Sequence, residues 1–106
     1  MARISTHVLD IAKGAPAAGI VVELHAGGQV VRSDRTNADG RTEAPLLTAD
    51  RISAGTYELI FYVGEYLGRS AFFDRIAIRF AVADEAGNYH VPLLLAAHGY
   101  STYRGS

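Results

Sequence analysis

The chain has 106 residues, 49% of them hydrophobic, a formal net charge of -1 and no cysteine. Residues 1–106 fit one domain, which at this size buries roughly 60–70% of the surface its unfolded chain exposes, enough for a core without staples. The absence of cysteine excludes a disulfide scaffold and a Cys-based zinc site, and a near-neutral balance with scattered arginines argues against nucleic acid or a membrane surface as partner.

Short runs rich in β-branched and aromatic residues recur between Gly, Asn, Asp and Pro punctuation, the rhythm of an all-β sandwich or barrel. Ile4–Ile11 reads as the first strand and Lys13–Pro16 as a loop. Gly19–Ala26 is the second strand, with Ile20, Val22 and Leu24 on one face and Val21, Glu23 and His25 on the other. Gly27-Gly28 makes a hairpin turn into a third strand, Gln29–Arg35. Thr36–Thr42 is a turn in which Asn37 and Asp39 cap their own backbone and Gly40 supplies a positive φ.

A short fourth strand is expected near Thr42–Pro45, with Leu46–Ser53 irregular. Thr56–Val63 is the fifth strand, apolar on both faces, and Glu65–Phe73 holds one short helix. Ile76–Val82, Tyr89–Ala96 and Tyr100–Arg104 complete the set as sixth, seventh and eighth strands. The seventh is again apolar on both faces, which a half-solvated antiparallel strand would not be. The simplest account is a homo-oligomer joined sheet to sheet.

No apolar run near the N-terminus, MARISTHVLDI, resembles a signal peptide, and the longest apolar stretch, Pro92–Ala97, is far below transmembrane length. A soluble, cytoplasmic protein without a membrane partner is the expectation.

Few residues carry candidate chemistry. His7 lies in the first strand and His90 opens the seventh, so the two imidazoles converge if those strands are neighbours. Imidazole suits general-base activation of water near neutral pH. Position alone favours the plainer reading, a strand histidine satisfied by its surroundings. His25, beside Glu23, and His98, in a turn, read as surface residues. No HxH or HxxxH pair is present, so no metal is expected. Arg41, just past the tight turn, and Arg104, near the last residue, could each clamp a planar oxyanion or carbonyl; the alternative is a solvated arginine.

Three segments together carry a resemblance: Ile4-Ser5-Thr6-His7-Val8-Leu9-Asp10, Thr36-Asn37-Ala38-Asp39-Gly40-Arg41-Thr42, and Tyr89-His90-Val91-Pro92-Leu93-Leu94-Leu95 continuing through Gly99-Tyr100 to Tyr103-Arg104-Gly105-Ser106. The chain resembles the transthyretin-like proteins of the 5-hydroxyisourate hydrolase type along nearly its whole length. The terminal Tyr-Arg-Gly-Ser is the most specific element, whereas the middle motif also occurs in unrelated binding modules.

The resemblance implies a transthyretin-like, eight-stranded β-sandwich of two four-stranded sheets with one short helix. It also implies a homotetramer whose interface forms the active site. The implied reaction is hydrolysis of the lactam ring of 5-hydroxyisourate to 2-oxo-4-hydroxy-4-carboxy-5-ureidoimidazoline in urate breakdown, without metal or organic cofactor. Carried over by position, His7 and His90 activate water, Arg41 holds the oxyanion, and Ser106 shapes the pocket with the catalytic group. Tyr103, Arg104 and Gly105 fall in the substrate-binding segment. The chain departs from the family pattern at Ala96-Ala97-His98, where Ser-Pro and an aromatic are usual. The alternative on the same fold is a non-catalytic carrier, which has no need of paired histidines and two arginines.

Overall fold

The computed structural model describes residues Met1–Ser106. Its strands are β1 (Ala2–Asp10), β2 (Ala15–Pro16), β3 (Val21–Ala26), β4 (Gln29–Arg35), β5 (Leu47–Ala49) and β6 (Gly55–Tyr62). One helix, α1 (Val63–Leu67), precedes β7 (Ile76–Val82), β8 (Asn88–Leu95) and β9 (Tyr100–Thr102). One sheet has the order β4-β3-β6-β7; the other runs β2-β1-β8-β9, with β5 added against β1.

Alternation decides what each strand buries. On β1 the residues Ala2, Ile4, Thr6, Val8 and Asp10 are buried, while Arg3, Ser5, His7 and Leu9 project from the opposite face. Ile20, Val22 and Leu24 face inward from the other sheet as the sequence predicts, joined by Tyr57, Leu59 and Phe61 of β6. With Val91, Leu93 and Leu95 of β8 they form one continuous core between the sheets. Polar groups that enter this core are satisfied: Thr6 donates to the Val91 carbonyl at 2.7 Å, and Thr36 donates to the Ala17 carbonyl at 2.8 Å.

Four local expectations are corrected. No strand forms near Thr42–Pro45; the Thr42 hydroxyl bonds the Ala44 carbonyl instead, a local bond that competes with a ladder. The strand lies just beyond, at Leu47–Ala49, where it pairs with Ala2–Ile4 in a stretch read as irregular. Ala15–Pro16, read as loop, forms the two-residue β2 against Leu9–Asp10. The helix is shorter and earlier than expected, ending at Leu67 because Gly68 is a poor helix former and turns the chain away.

The last strand also differs. Regular pairing of β9 with β8 stops at Thr102 rather than Arg104, then resumes as a single bridge between His90 and Gly105. Pro92 has no N–H to give the ladder at that point. The Thr102 hydroxyl donates to the Pro92 carbonyl at 2.7 Å, and beyond it Gly105 donates its N–H to the His90 carbonyl at 2.7 Å.

Candidate active site

The parallel pairing of β1 and β8 is what assembles the site. Its register sets Ser5 beside His90 and His7 beside Pro92. These four side chains share the face that points away from the core, because inward positions alternate with them on both strands. The condition set by the sequence, that the first and seventh strands be neighbours, is met.

Arg41 arrives from the turn. The Asn37 side chain accepts the Asp39 N–H at 2.9 Å and the Arg41 N–H at 3.2 Å, and the Asn37 N–H donates to the Arg41 carbonyl at 2.7 Å. Gly40, with φ +74°, donates its N–H to the Asn37 carbonyl at 2.9 Å and lends its own carbonyl to the Val8 N–H at 2.8 Å, which fastens the turn to β1. A Cβ at Gly40 would collide with the Val8 carbonyl and stand 3.3 Å from His7 Cδ2. The turn therefore carries Arg41 to the His7 strand only with glycine at that position.

The C-terminal segment closes the other side. Gly105 donates its N–H to the His90 carbonyl at 2.7 Å. A cleft of about 440 Å³ lies between these parts, lined by Arg3, Ser5, Arg41, Asn88, His90 and Ser106 among others. Only one of its 11 lining residues is hydrophobic, so the cleft is built for a polar ligand rather than a greasy one. Arg41 enters none of the ion pairs formed, which are His25–Glu23, Arg32–Asp34 and Arg51–Glu85. Its guanidinium charge is thus not neutralised by a carboxylate partner.

His90 is half-buried, and burial is the first cause that pushes its imidazolium below the usual histidine range. The nearby charges of Arg41 and then His7 push in the same direction. All three effects favour a neutral ring, the form that can accept a proton.

Not every residue singled out in the sequence joins this cleft. His7 stands beside it, against Gly40, and is not part of its lining. Tyr103 and Arg104 line a separate apolar groove of about 230 Å³ with Ile78, Phe80, Tyr89 and Val91. There the Arg104 guanidinium sits 4.5 Å from the centre of the Tyr89 ring and donates to the Asn88 carbonyl at 3.0 Å. His25 bonds Glu23 at 2.9 Å on the outer face of the other sheet, and His98 is exposed. No cluster of three metal-ligating side chains is present.

Ser5, Arg3 and Asn88 were not singled out from the sequence. The signal for two of them was available: Arg3, Ser5 and His7 alternate on one strand face, so a candidate at His7 nominates its neighbours two and four residues away.

Comparison with known proteins agrees with this geometry. The model of the family described as HIUase/Transthyretin matches residues 4–105. A 5-hydroxyisourate hydrolase of Ralstonia nicotianae is 46% identical, over 100% of this chain and 100% of its own. The solved structure of Klebsiella pneumoniae 5-hydroxyisourate hydrolase superposes with a TM-score of 0.89 at 39% identity, covering 100% of both chains. Transthyretin from Sparus aurata superposes at a TM-score of 0.85 with 25% identity, covering 97% of this chain and 96% of its own. With a polar cleft built on β1, the Gly40 turn, β8 and the C-terminal segment, the chain belongs to the HIUase/Transthyretin family.

Proposed function

We propose that the chain is a cyclic amidohydrolase that opens the lactam ring of 5-hydroxyisourate; its full-length relatives bear the name 5-hydroxyisourate hydrolase. The observation that carries the reading is the polar cleft in which a half-buried, neutral-leaning His90 faces Arg41 and Ser106. A carrier of apolar ligands would line the same place with hydrophobic side chains.

In the reaction we assign, water adds to the lactam carbonyl carbon, the ring C–N bond breaks, and a carboxylate and an N–H group result. His90, with His7 beside the cleft, orients the water and takes its proton, a contribution worth roughly 10²–10⁴ in rate. Arg41, free of carboxylate partners, holds the oxyanion that develops on the carbonyl oxygen. Ser106 shapes the end of the cleft. The scheme uses water as nucleophile and side chains as acid and base, and calls for no cofactor.

The segment Tyr103–Gly105 is assigned to substrate binding within a homotetramer. In a single chain Tyr103 and Arg104 lie in the neighbouring groove, so their contact with substrate requires groove and cleft to be joined where subunits meet. The half-exposed apolar residues on the outer face of β1 and β8, Leu9 and Leu94, supply surface for such a contact. No helix is long and apolar enough to cross a membrane, and we place the activity in the cytoplasm.

The test is direct. 5-Hydroxyisourate is generated in situ by a urate oxidase and its ultraviolet decay is followed with and without the protein. Accelerated decay is expected, with loss of roughly 10²-fold or more in His7→Ala and His90→Ala; decay unaffected by the wild-type protein refutes the reading and leaves the carrier. Removal of Arg104–Ser106 is expected to abolish most turnover while the oligomer persists.

A further inference from the structure

Ser5 does nothing for the core. It sits on the outward face of β1, between the exposed Arg3 and the half-buried His7. Yet its hydroxyl oxygen lies 2.9 Å from His90 Nδ1, across the register pair that joins β1 to β8. That is hydrogen-bond distance, and it is the bond that the His90 ring makes to another side chain.

The opposite edge of the same ring is held differently. Gly105 packs so closely that an added Cβ would lie 2.5 Å from His90 Cδ2 and 3.3 Å from Cγ. Its backbone is fixed there by the 2.7 Å bond from its N–H to the His90 carbonyl. With Nδ1 tied on one side and Cδ2 covered on the other, the edge of the ring left free is Cε1–Nε2. The cleft is lined by Ser5, His90 and Ser106 together, so the ring and its tether both belong to the cleft wall.

We propose that Ser5 is the positioning residue for His90: its oxygen accepts the Nδ1 proton, fixing the tautomer in which Nε2 carries the lone pair, while Gly105 fixes the plane of the ring. The claim rests on the reading of the cleft as a hydrolytic site only for its consequence in turnover. A neutral imidazole has one protonated and one unprotonated nitrogen, and the partner of the first decides which nitrogen is available as base. An imidazole in the wrong tautomer presents N–H where the water proton must go, and it cannot act as base however well it is placed. A serine hydroxyl can both donate and accept, so it also follows His90 through the protonated state, in which both ring nitrogens are donors. Ser5 touches the base rather than the reacting atoms, and its effect is exerted through His90.

The experiment pairs an activity readout with one that does not depend on activity. Ser5→Ala and Ser5→Thr are compared with the wild type, measuring kcat and KM for 5-hydroxyisourate and the ring-nitrogen chemical shifts of His90 in ¹⁵N-histidine-labelled protein. In the wild type, Nδ1 is expected in the protonated range and Nε2 in the unprotonated range. In Ser5→Ala the two nitrogens move towards averaged values, kcat falls roughly 10²-fold, the low end of what a positioned base contributes, and KM changes little. Ser5→Thr keeps the hydroxyl and restores both readouts. Unchanged His90 nitrogen shifts in Ser5→Ala overturn the inference even if the wild type is active. Shifted nitrogens in Ser5→Ala, alongside a wild type that does not hydrolyse the substrate, uphold the tether and refute the hydrolase reading instead. Shifted nitrogens with undiminished kcat in an active enzyme show that the tether has no catalytic consequence, and that also overturns the proposal.

Discussion

Gly105 and His90 touch as backbone and ring: the glycine N–H donates to the His90 carbonyl at 2.7 Å, and there is no room for a side chain between its Cα and His90 Cδ2. Gly105→Ala must therefore displace either the ring or the C-terminal segment. A displacement of about 1 Å at a reacting group costs on the order of 10²-fold in rate. We expect turnover to fall by about that factor while thermal unfolding is little changed, because Gly105 lies outside the core. Full activity in Gly105→Ala would show that the close approach is incidental.

The environment of His90 makes a pH prediction with a definite sign. Burial, then the Arg41 charge, then that of His7, push its imidazolium below the usual 6.5. The folded protein therefore releases this proton at a lower pH than the unfolded chain does. The neutral base persists to somewhat below pH 6.5, and stability is lost as acidification lets the unfolded chain take up the proton first. Arg41→Gln removes the second of the three causes. The His90 ring titration, followed by NMR, is expected to move upward towards 6.5 in that variant; a titration that stays in place would show that the guanidinium does not act on the ring.

The turn that carries Arg41 depends on Gly40 in a way that couples stability to the site. Its φ of +74° strains any L side chain, and a Cβ would run into the Val8 carbonyl. A residue held in such a region costs on the order of 1–3 kcal/mol before the collision is counted. Gly40→Ala is expected to lose at least that much stability in urea titration, along with most turnover. Tolerance of alanine in both measurements would mean that the turn can remake itself.

How much of this was readable beforehand differs between strands and site. Alternation placed Ile20, Val22 and Leu24 in the core correctly, and the bounds of Gln29–Arg35 and Ile76–Val82 came out as read. The short strands at 15–16 and 47–49 were missed because two or three residues carry no period, and their pairing with β1 is a tertiary effect. At the site, His7, Arg41 and His90 were nominated from residue type and resemblance. The approach of His7 and His90 needed the parallel register of β1 and β8, and that of Arg41 needed the Gly40 turn docked on Val8, neither of which a local pattern encodes. Alternation with His7 places Ser5 on the same strand face, but its bond to His90 is not legible locally, because that partner is 85 residues away. The separation of Tyr103 and Arg104 from the cleft follows from the break in pairing beside Pro92, and resemblance carried over by position cannot reveal it.

Away from the site, Asp10 and Tyr66 tie β1 to the helix. The tyrosine hydroxyl donates to Asp10 at 2.6 Å, and the other carboxylate oxygen accepts the N–H groups of Ala12 and Lys13. Burial and then the Asp10 bond push the Tyr66 phenol up to about 12, and the bond from Tyr66 is the first cause holding Asp10 below the usual carboxylate range. Tyr66→Phe is expected to cost roughly 1.5–3 kcal/mol, the range for a hydrogen bond to a charged group. Because the folded pKa of Asp10 is depressed, this advantage of the wild type is present above about 3.8 and shrinks as pH falls through the folded value. Equal stability of the two proteins at neutral pH would remove the pair from the account.

Leu94 tests the assembly. It lies on the outer face of β8, two residues from Pro92, half-buried although it points away from the core. Inward neighbours Leu93 and Leu95 are fully buried, so a polar replacement at Leu94 spares the interior. If copies of the chain meet through this face, Leu94→Arg puts charges against one another and against apolar surface across the contact, which is costly without a partner. We expect light scattering to report a tetramer for the wild type at micromolar concentration and smaller species for Leu94→Arg, with the far-ultraviolet spectrum unchanged. Turnover should fall with the assembly, since Tyr103 and Arg104 lie in a groove separate from the cleft of their own chain. A wild type that is monomeric yet fully active would sink the interface-built site and require Tyr103 and Arg104 to swing into the cleft unaided.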